Sequence, residues 1–201
     1  MVTYMGLDLF LTRAINDFAG EPSWITWTFL TLCEPDTLWL PCILLGMYWV
    51  VRWPREALVA APVMTALIGL VDFIGAQIKH VVARPRPCIT IADLHGLQAC
   101  GKHFSFPSNH ALNTAAAAAF LQVLYPRSGW VSWPIVGLVG LARVYLGAHY
   151  VTDVIGGWMI GGFCGAGGAW LLLQWPAFRQ QELLPSHSSS TTPSTTADRY
   201  V

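Results

Sequence analysis

Apolar positions in this chain fall in blocks that are long for a protein bathed in water, and the polar residues between them are few. Leu7, Phe10, Leu11, Ala14, Ile15 and Phe18 recur at helical spacing, while Asp8, Thr12, Arg13, Asn16 and Asp17 take the opposite side. That describes an amphipathic helix, either lying in a membrane interface or packed on a core. Residues 23–33 are apolar and Trp-rich but too short to cross a bilayer, which takes about 20 residues. Glu34, Pro35 and Asp36 end that run. Five longer apolar blocks follow at 37–51 (short, with Trp39 and Trp49 as interface anchors), 57–80, 109–125, 130–147 and 151–175. The pattern predicts an all-α, polytopic membrane bundle of five to six transmembrane helices with an N-terminal amphipathic interfacial helix. The expected organisation is N-terminal interfacial helices over 1–34, a transmembrane bundle over 35–178 and a Ser/Thr-rich, disordered cytoplasmic tail over 179–201.

Composition agrees about the solvent. Hydrophobic residues make up 54% of the 201 and charged residues 11%, with ten Trp, which excludes an ordinary soluble domain. A formal net charge of zero and the lack of any block of like charges argue against a nucleic-acid partner. The first 18 residues do not have the layout of a removed signal peptide. Arg52, Arg55, Arg127 and Arg179 fall on one side of the predicted bundle, which the positive-inside tendency makes cytoplasmic. Lys79, Arg84, Arg86, Lys102 and Arg143 then gather on the outer face. Headgroup snorkelling explains one or two of these; binding an anion explains the cluster.

Small residues mark helix contacts: Gly157, Gly161 and Gly165 fall four apart, and Ala111 and Ala115 to Ala119 crowd the block at 109–125. Among the cysteines, Cys33, Cys42 and Cys164 read as packing residues. Cys88 and Cys100 share an outer loop, where a disulfide can form; the competing reading is a metal site with His95 and His103, although that spacing matches no common zinc pattern.

Chemistry is carried by three pieces that end on the outer face. Lys79 and Arg86 bracket a loop start, and Pro87 restrains the chain beside the second cation. Pro107, Ser108, Asn109 and His110 read as a helix entrance, with Ser108 as cap, the first-turn amides as an anion site and an imidazole beside them. Arg143 is followed by His149 and Asp153, four apart, so that a carboxylate can hold an imidazole if a helix begins there. Asp72, two turns before Lys79 in an apolar block, must be paired or neutral and reads as a structural partner for a neighbouring helix. His80, His95 and His103 read as loop or interface residues, with His103 nearest the pocket entrance.

Taken together, Lys-x6-Arg-Pro, then Pro-Ser-x-His, then Arg-x5-His-x3-Asp resembles the type 2 phosphatidic acid phosphatase superfamily, integral-membrane lipid phosphatases related to vanadate haloperoxidases. The resemblance runs from Lys79 to Asp153. It implies that Lys79, Arg86 and Arg143 hold phosphate oxygens, with Ser108 and the Asn109 amide adding hydrogen bonds. It implies His149 as the nucleophile, Asp153 as its orienting carboxylate, and His110 as the proton donor to the leaving oxygen and then the activator of water. It also implies no metal and no cofactor, a lipid phosphate substrate in the bilayer, no obligate protein partner, and a bacterial plasma-membrane location with the site facing the periplasm or exterior. Polyprenyl diphosphate leads the expected substrates, followed by phosphatidylglycerophosphate, phosphatidic acid and lipid A 1-phosphate; a vanadate-dependent haloperoxidase and a non-catalytic lipid-phosphate binder are the alternatives of another class. Two positions depart from the family pattern: Asn109 stands where Gly is usual, and Ala142 where Ser commonly precedes the Arg.

Overall fold

A computed structural model describes residues 2–19, 24–33, 35–96, 100, 104–176 and 178. The expected tail at 179–201, Glu34, Lys102, His103 and Arg179 lie outside the described residues, as do the side chains of Trp39 and Cys42. Among the described residues the regular structure is all helical, with no strand: α1 (Val2–Asn16), α2 (Trp24–Cys33), α3 (Pro35–Arg52), α4 (Pro54–Val82), the short α5 (Pro87–Thr90), α6 (Asn109–Leu124), α7 (Gly129–Tyr145) and α8 (Val151–Gln174). Four of the five apolar blocks expected to cross become α3, α6, α7 and α8, and the other lies within α4. Two segments, Pro54–Thr90 and Val151–Gln174, are long and apolar enough to cross a membrane, and only 17% and 28% of their most apolar windows are buried inside the bundle. Helices α6 and α7 have 16 and 17 residues, just short of a full crossing at about 1.5 Å per residue. Large apolar side chains such as Leu45, Trp130 and Phe163 stand exposed, a surface that lipid covers favourably.

The centre of the bundle is the α6–α8 contact. A Cβ added at Gly157 would lie 2.7 Å from the Ser108 carbonyl oxygen, at Gly161 2.0 Å from that of Leu112, and at Gly165 2.2 Å from that of Ala116. The glycine stripe therefore does what its spacing predicts, letting one backbone rest on another. Ala111, Leu112, Ala115 and Ala116 form the facing surface and are fully buried.

Two ends are distinguishable. At one, the ring of Trp53, between α3 and α4, lies 5.2 Å from that of Tyr125, between α6 and α7, so these turns with Arg52, Arg55 and Arg127 share an end. Trp49, expected as an interface anchor, is instead buried there and donates its indole N–H to the Tyr125 hydroxyl at 2.9 Å. The Tyr125 hydroxyl in turn donates to Glu56 at 2.8 Å. At the other end α4 stops at Ala83, which takes a left-handed conformation (φ 49°), and Pro85 then bars renewed helix. The stop turns Arg84 and Arg86 across the mouth of the bundle.

Helix α1 is placed opposite to what a surface amphipathic helix suggests. Its polar stripe faces the bundle: Asp8, Thr12 and Asn16 are buried, while Leu7 and Phe10 are 57% and 66% exposed. Asn16 bonds the Tyr145 carbonyl at 2.8 Å and the backbone of His95, and Thr12 accepts from the Val151 amide. An apolar solvent inverts the usual rule, because polar groups are better satisfied inward and apolar ones outward.

Candidate active site

Three chain segments meet at the α4 exit, the α6 entrance and the α7–α8 turn. Lys79, on the last full turn of α4, is buried and donates to the Pro107 carbonyl. Arg86, just before α5, is buried and donates to the Ala148 carbonyl at 3.0 Å. The loop over 104–108 is stitched across the site: Ser105 N–H donates to the Arg84 carbonyl at 2.8 Å and Ser108 N–H to the Asp153 carbonyl at 3.0 Å. Gly156 leaves room for the Phe106 ring, whose nearest carbon would lie 2.4 Å from an added Cβ. Gly147, with φ +72°, makes the turn that brings His149 back over Arg143.

Ser108 does not cap α6 with its side chain, as expected from sequence; its hydroxyl is buried and has no hydrogen-bond partner among the described residues. A buried hydroxyl in that state is available to a ligand oxygen. Asn109 and Asn113 both donate to one Asp72 carboxylate oxygen at 2.8 Å, so Asp72, half-buried at the cavity, is the partner of a neighbouring helix that the sequence suggests. Cys33, read as packing, is buried at the end of α2 close to Arg143 and to the His110 ring.

His149 precedes α8 by two residues rather than sharing its face. Asp153 caps that helix by accepting from the Tyr150 amide at 2.9 Å, and it also accepts from Ser105 and, at 2.7 Å, from Arg84. His149 Nδ1 lies 3.6 Å from Asp153 Oδ2, an ion-pair distance longer than a hydrogen bond. On the other side of the ring, Nε2 lies 3.3 Å from an Arg86 Nη1. A guanidinium only donates, so Nε2 is the acceptor and Nδ1 carries the proton toward Asp153. Burial, joined by the charges of Arg143 and Arg86, depresses the His149 pKa to about 4 despite the opposing pull of Asp153. The imidazole is neutral at physiological pH, with its lone pair facing the cations.

These groups border one cavity of about 370 Å³, lined by Lys79, Arg86, Arg143, His110, His149, Asn109 and Asp72, with His80 and Phe104 at its rim. The family model of the PAP2 superfamily matches residues 57–180, more than half of the chain, and spans every one of these lining residues. This chain belongs to the PAP2 superfamily.

Among its relatives, the undecaprenyl-diphosphatase of Sulfolobus acidocaldarius is 31% identical over 66% of this chain and 63% of that protein. The bacitracin transport permease protein BcrC of Bacillus licheniformis is 23% identical over 80% of this chain and 78% of its own. The solved transmembrane PAP2-type phosphatidylglycerolphosphate phosphatase of Bacillus subtilis shares the fold, with a TM-score of 0.64 over 94% of this chain and 90% of that one, at 22% identity.

In this PAP2 chain the cavity brings together Lys79, Arg86, Arg143, His110 and His149, with Ser108 and Asp153 immediately behind. His80, expected in a loop or interface, stands on α4 at the cavity rim, its ring edge-on to Phe104 at 6.1 Å. Cys88 and Cys100 are joined by a disulfide with Cα atoms 6.1 Å apart, so their sulfurs are not free to bind a metal. Sequence reasoning missed Ser105, Tyr150, Asp8 and the specific task of Arg84. Only Arg84 carried a signal, the doubled Arg-Pro that aims two guanidinium groups from one short loop.

Proposed function

We propose that this PAP2 protein is a metal-independent lipid phosphatase acting on a lipid phosphate or diphosphate, foremost polyprenyl diphosphate, at the outer face of the membrane. The observation that carries the reading is the single cavity in which three cations surround two imidazoles. A loose phosphoryl transition state needs positioning and positive charge more than covalent chemistry, and Lys79, Arg86 and Arg143 supply both.

The proposed steps run as follows. His149 Nε2 attacks phosphorus, a P–N bond forms and the P–O bond to the lipid breaks. The leaving oxygen takes a proton from His110, and Asp153 stabilises the phosphohistidine cation. Water then gives a proton back to His110 and attacks phosphorus, which breaks the P–N bond and frees orthophosphate. A diphosphate would leave a lipid monophosphate, and a monoester a lipid alcohol.

The substrate ranking is supported by relatives named as undecaprenyl-diphosphatases. Phosphatidylglycerophosphate is the second choice, because the matching fold includes a phosphatase described by that head group. In this reading the bundle over 35–178 makes five to six crossings, and the turns bearing Arg52, Arg55 and Arg127 lie in the cytoplasm. The decisive experiment is phosphate release by purified protein across a panel of lipid head groups, with His149→Ala as control. Release from polyprenyl diphosphate that vanishes in the variant is expected; undiminished turnover by folded His149→Ala protein refutes the nucleophile.

A further inference from the structure

We propose that Asp8, on α1 and outside the family-matched segment, is a positioning residue that acts through Arg84 and Asp153 on His149. The inference rests on the reading of His149 as nucleophile.

Both Asp8 carboxylate oxygens are engaged. Oδ1 accepts from the Thr152 amide at 3.0 Å, and Oδ2 accepts from Thr152 Oγ1 at 2.7 Å and from Arg84 Nη2 at 2.6 Å. The other Arg84 nitrogen, Nη1, donates to Asp153 Oδ1 at 2.7 Å and to Thr152 Oγ1 at 2.7 Å. The guanidinium lies over the Tyr150 ring at 3.8 Å, which holds its plane between the two carboxylates. Asp8 is 5% exposed and Asp153 fully buried, while the Arg84 side chain between them is 25% exposed, so water screens these links only in part.

The consequence is electrostatic. One guanidinium shared between two carboxylates leaves more negative charge on Asp153 than an exclusive pair would, and its Oδ2 is the atom 3.6 Å from His149 Nδ1. That charge is needed when the imidazole becomes a cation. Asp8 caps α8 as well, through the Thr152 amide, but capping alone does not explain the Arg84 contact, which sets one guanidinium between both carboxylates. Asp8 also belongs to the polar stripe by which α1 meets the bundle, so the same contact seats the helix and tunes the pair.

The test is steady-state phosphate release by the full chain in detergent, with polyprenyl diphosphate as the probe. Asp8→Asn keeps the shape and the acceptor for the Thr152 amide while removing the charge. Since a charge-assisted hydrogen bond is lost, kcat should fall on the order of tenfold with KM within about twofold, and the thermal transition should drop because the same bond seats α1. Asp8→Glu should recover most of the rate. Arg84→Lys retains one positive charge but cannot bridge two carboxylates, and should lower kcat to the same extent. Combining it with Asp8→Asn should add little further loss. Wild-type kcat in Asp8→Asn, a loss confined to KM or to thermal stability, or penalties that multiply in the double variant would each overturn the proposal. His149→Ala separates the two levels: if it stays active, the nucleophile reading fails, whereas an inactive His149→Ala beside a fully active Asp8→Asn defeats this inference alone.

Discussion

Substituting Gly161 by Ala tests whether the α6–α8 contact sets the site geometry. The added Cβ would lie 2.0 Å from the Leu112 carbonyl oxygen, 2.8 Å from its carbon and 3.0 Å from its Cα. A carbon-to-oxygen contact needs about 3.3 Å, so the helices must part by roughly 1.3 Å. Both sides of the contact are backbone, and no rotamer change can absorb the difference. Overpacking of this kind costs about 1–3 kcal/mol. It also moves Ser108 and His110, which α6 carries, relative to His149 and Asp153 at the head of α8. A misplacement near 1 Å costs on the order of a hundredfold in rate. Gly162→Ala is the internal control, since its Cβ meets only the tip of the Trp133 ring at 3.8 Å. Thermal unfolding in detergent and phosphate release, measured on both variants, should show a lower transition and a collapse of kcat for Gly161→Ala alone. Equal stability and equal rates in the two would refute the idea that backbone contact positions the proposed catalytic groups.

Three further outcomes are expected. Because the His149 pKa is depressed from 6.5 to about 4, the nucleophile keeps its lone pair down to that value, so the acid limb of kcat/KM should lie near pH 4, while deprotonation of the donor His110 sets the alkaline limb; an acid limb centred at 6.5 would contradict the buried, cation-flanked imidazole. Asp72→Ala leaves the amide groups of Asn109 and Asn113 without their shared acceptor and should destabilise the protein by about 1–3 kcal/mol, whereas an unchanged thermal transition would remove Asp72 from the α4–α6 contact. Chelators should leave the rate unchanged and vanadate should inhibit by imitating five-coordinate phosphorus; a large loss under chelation restored by a divalent cation would replace the three-cation mechanism with a metal-assisted one.

Much of this protein is readable along the chain because the controlling physics is local. Apolar runs of helical length foretold α3, α4, α6, α7 and α8 within a few residues at either end. The four-residue glycine spacing on α8 foretold close approach, since a missing side chain is a property of the residue itself. The three motifs named the groups that border the cavity, and they did so because each is short and its spacing survives whatever lies between.

Other features depend on which distant segments meet, and no local pattern encodes that. The polar stripe of α1 has the same periodicity whether it faces water or protein, and only the bundle, with its apolar exterior, turned Asp8, Thr12 and Asn16 inward. Ser108 reads as a cap, yet its hydroxyl makes no cap bond to α6, and its amide is tied to the carbonyl of Asp153, 45 residues later. Arg84 looks like one more cation in a cluster until two carboxylates, 76 residues before it and 69 after, close on its guanidinium. Sequence alone determined the helices and the chemical inventory, which follow from residue type and short-range spacing. Tertiary structure decided which charges share a partner, because pairing energies depend on distance and burial that arise only when the helices pack.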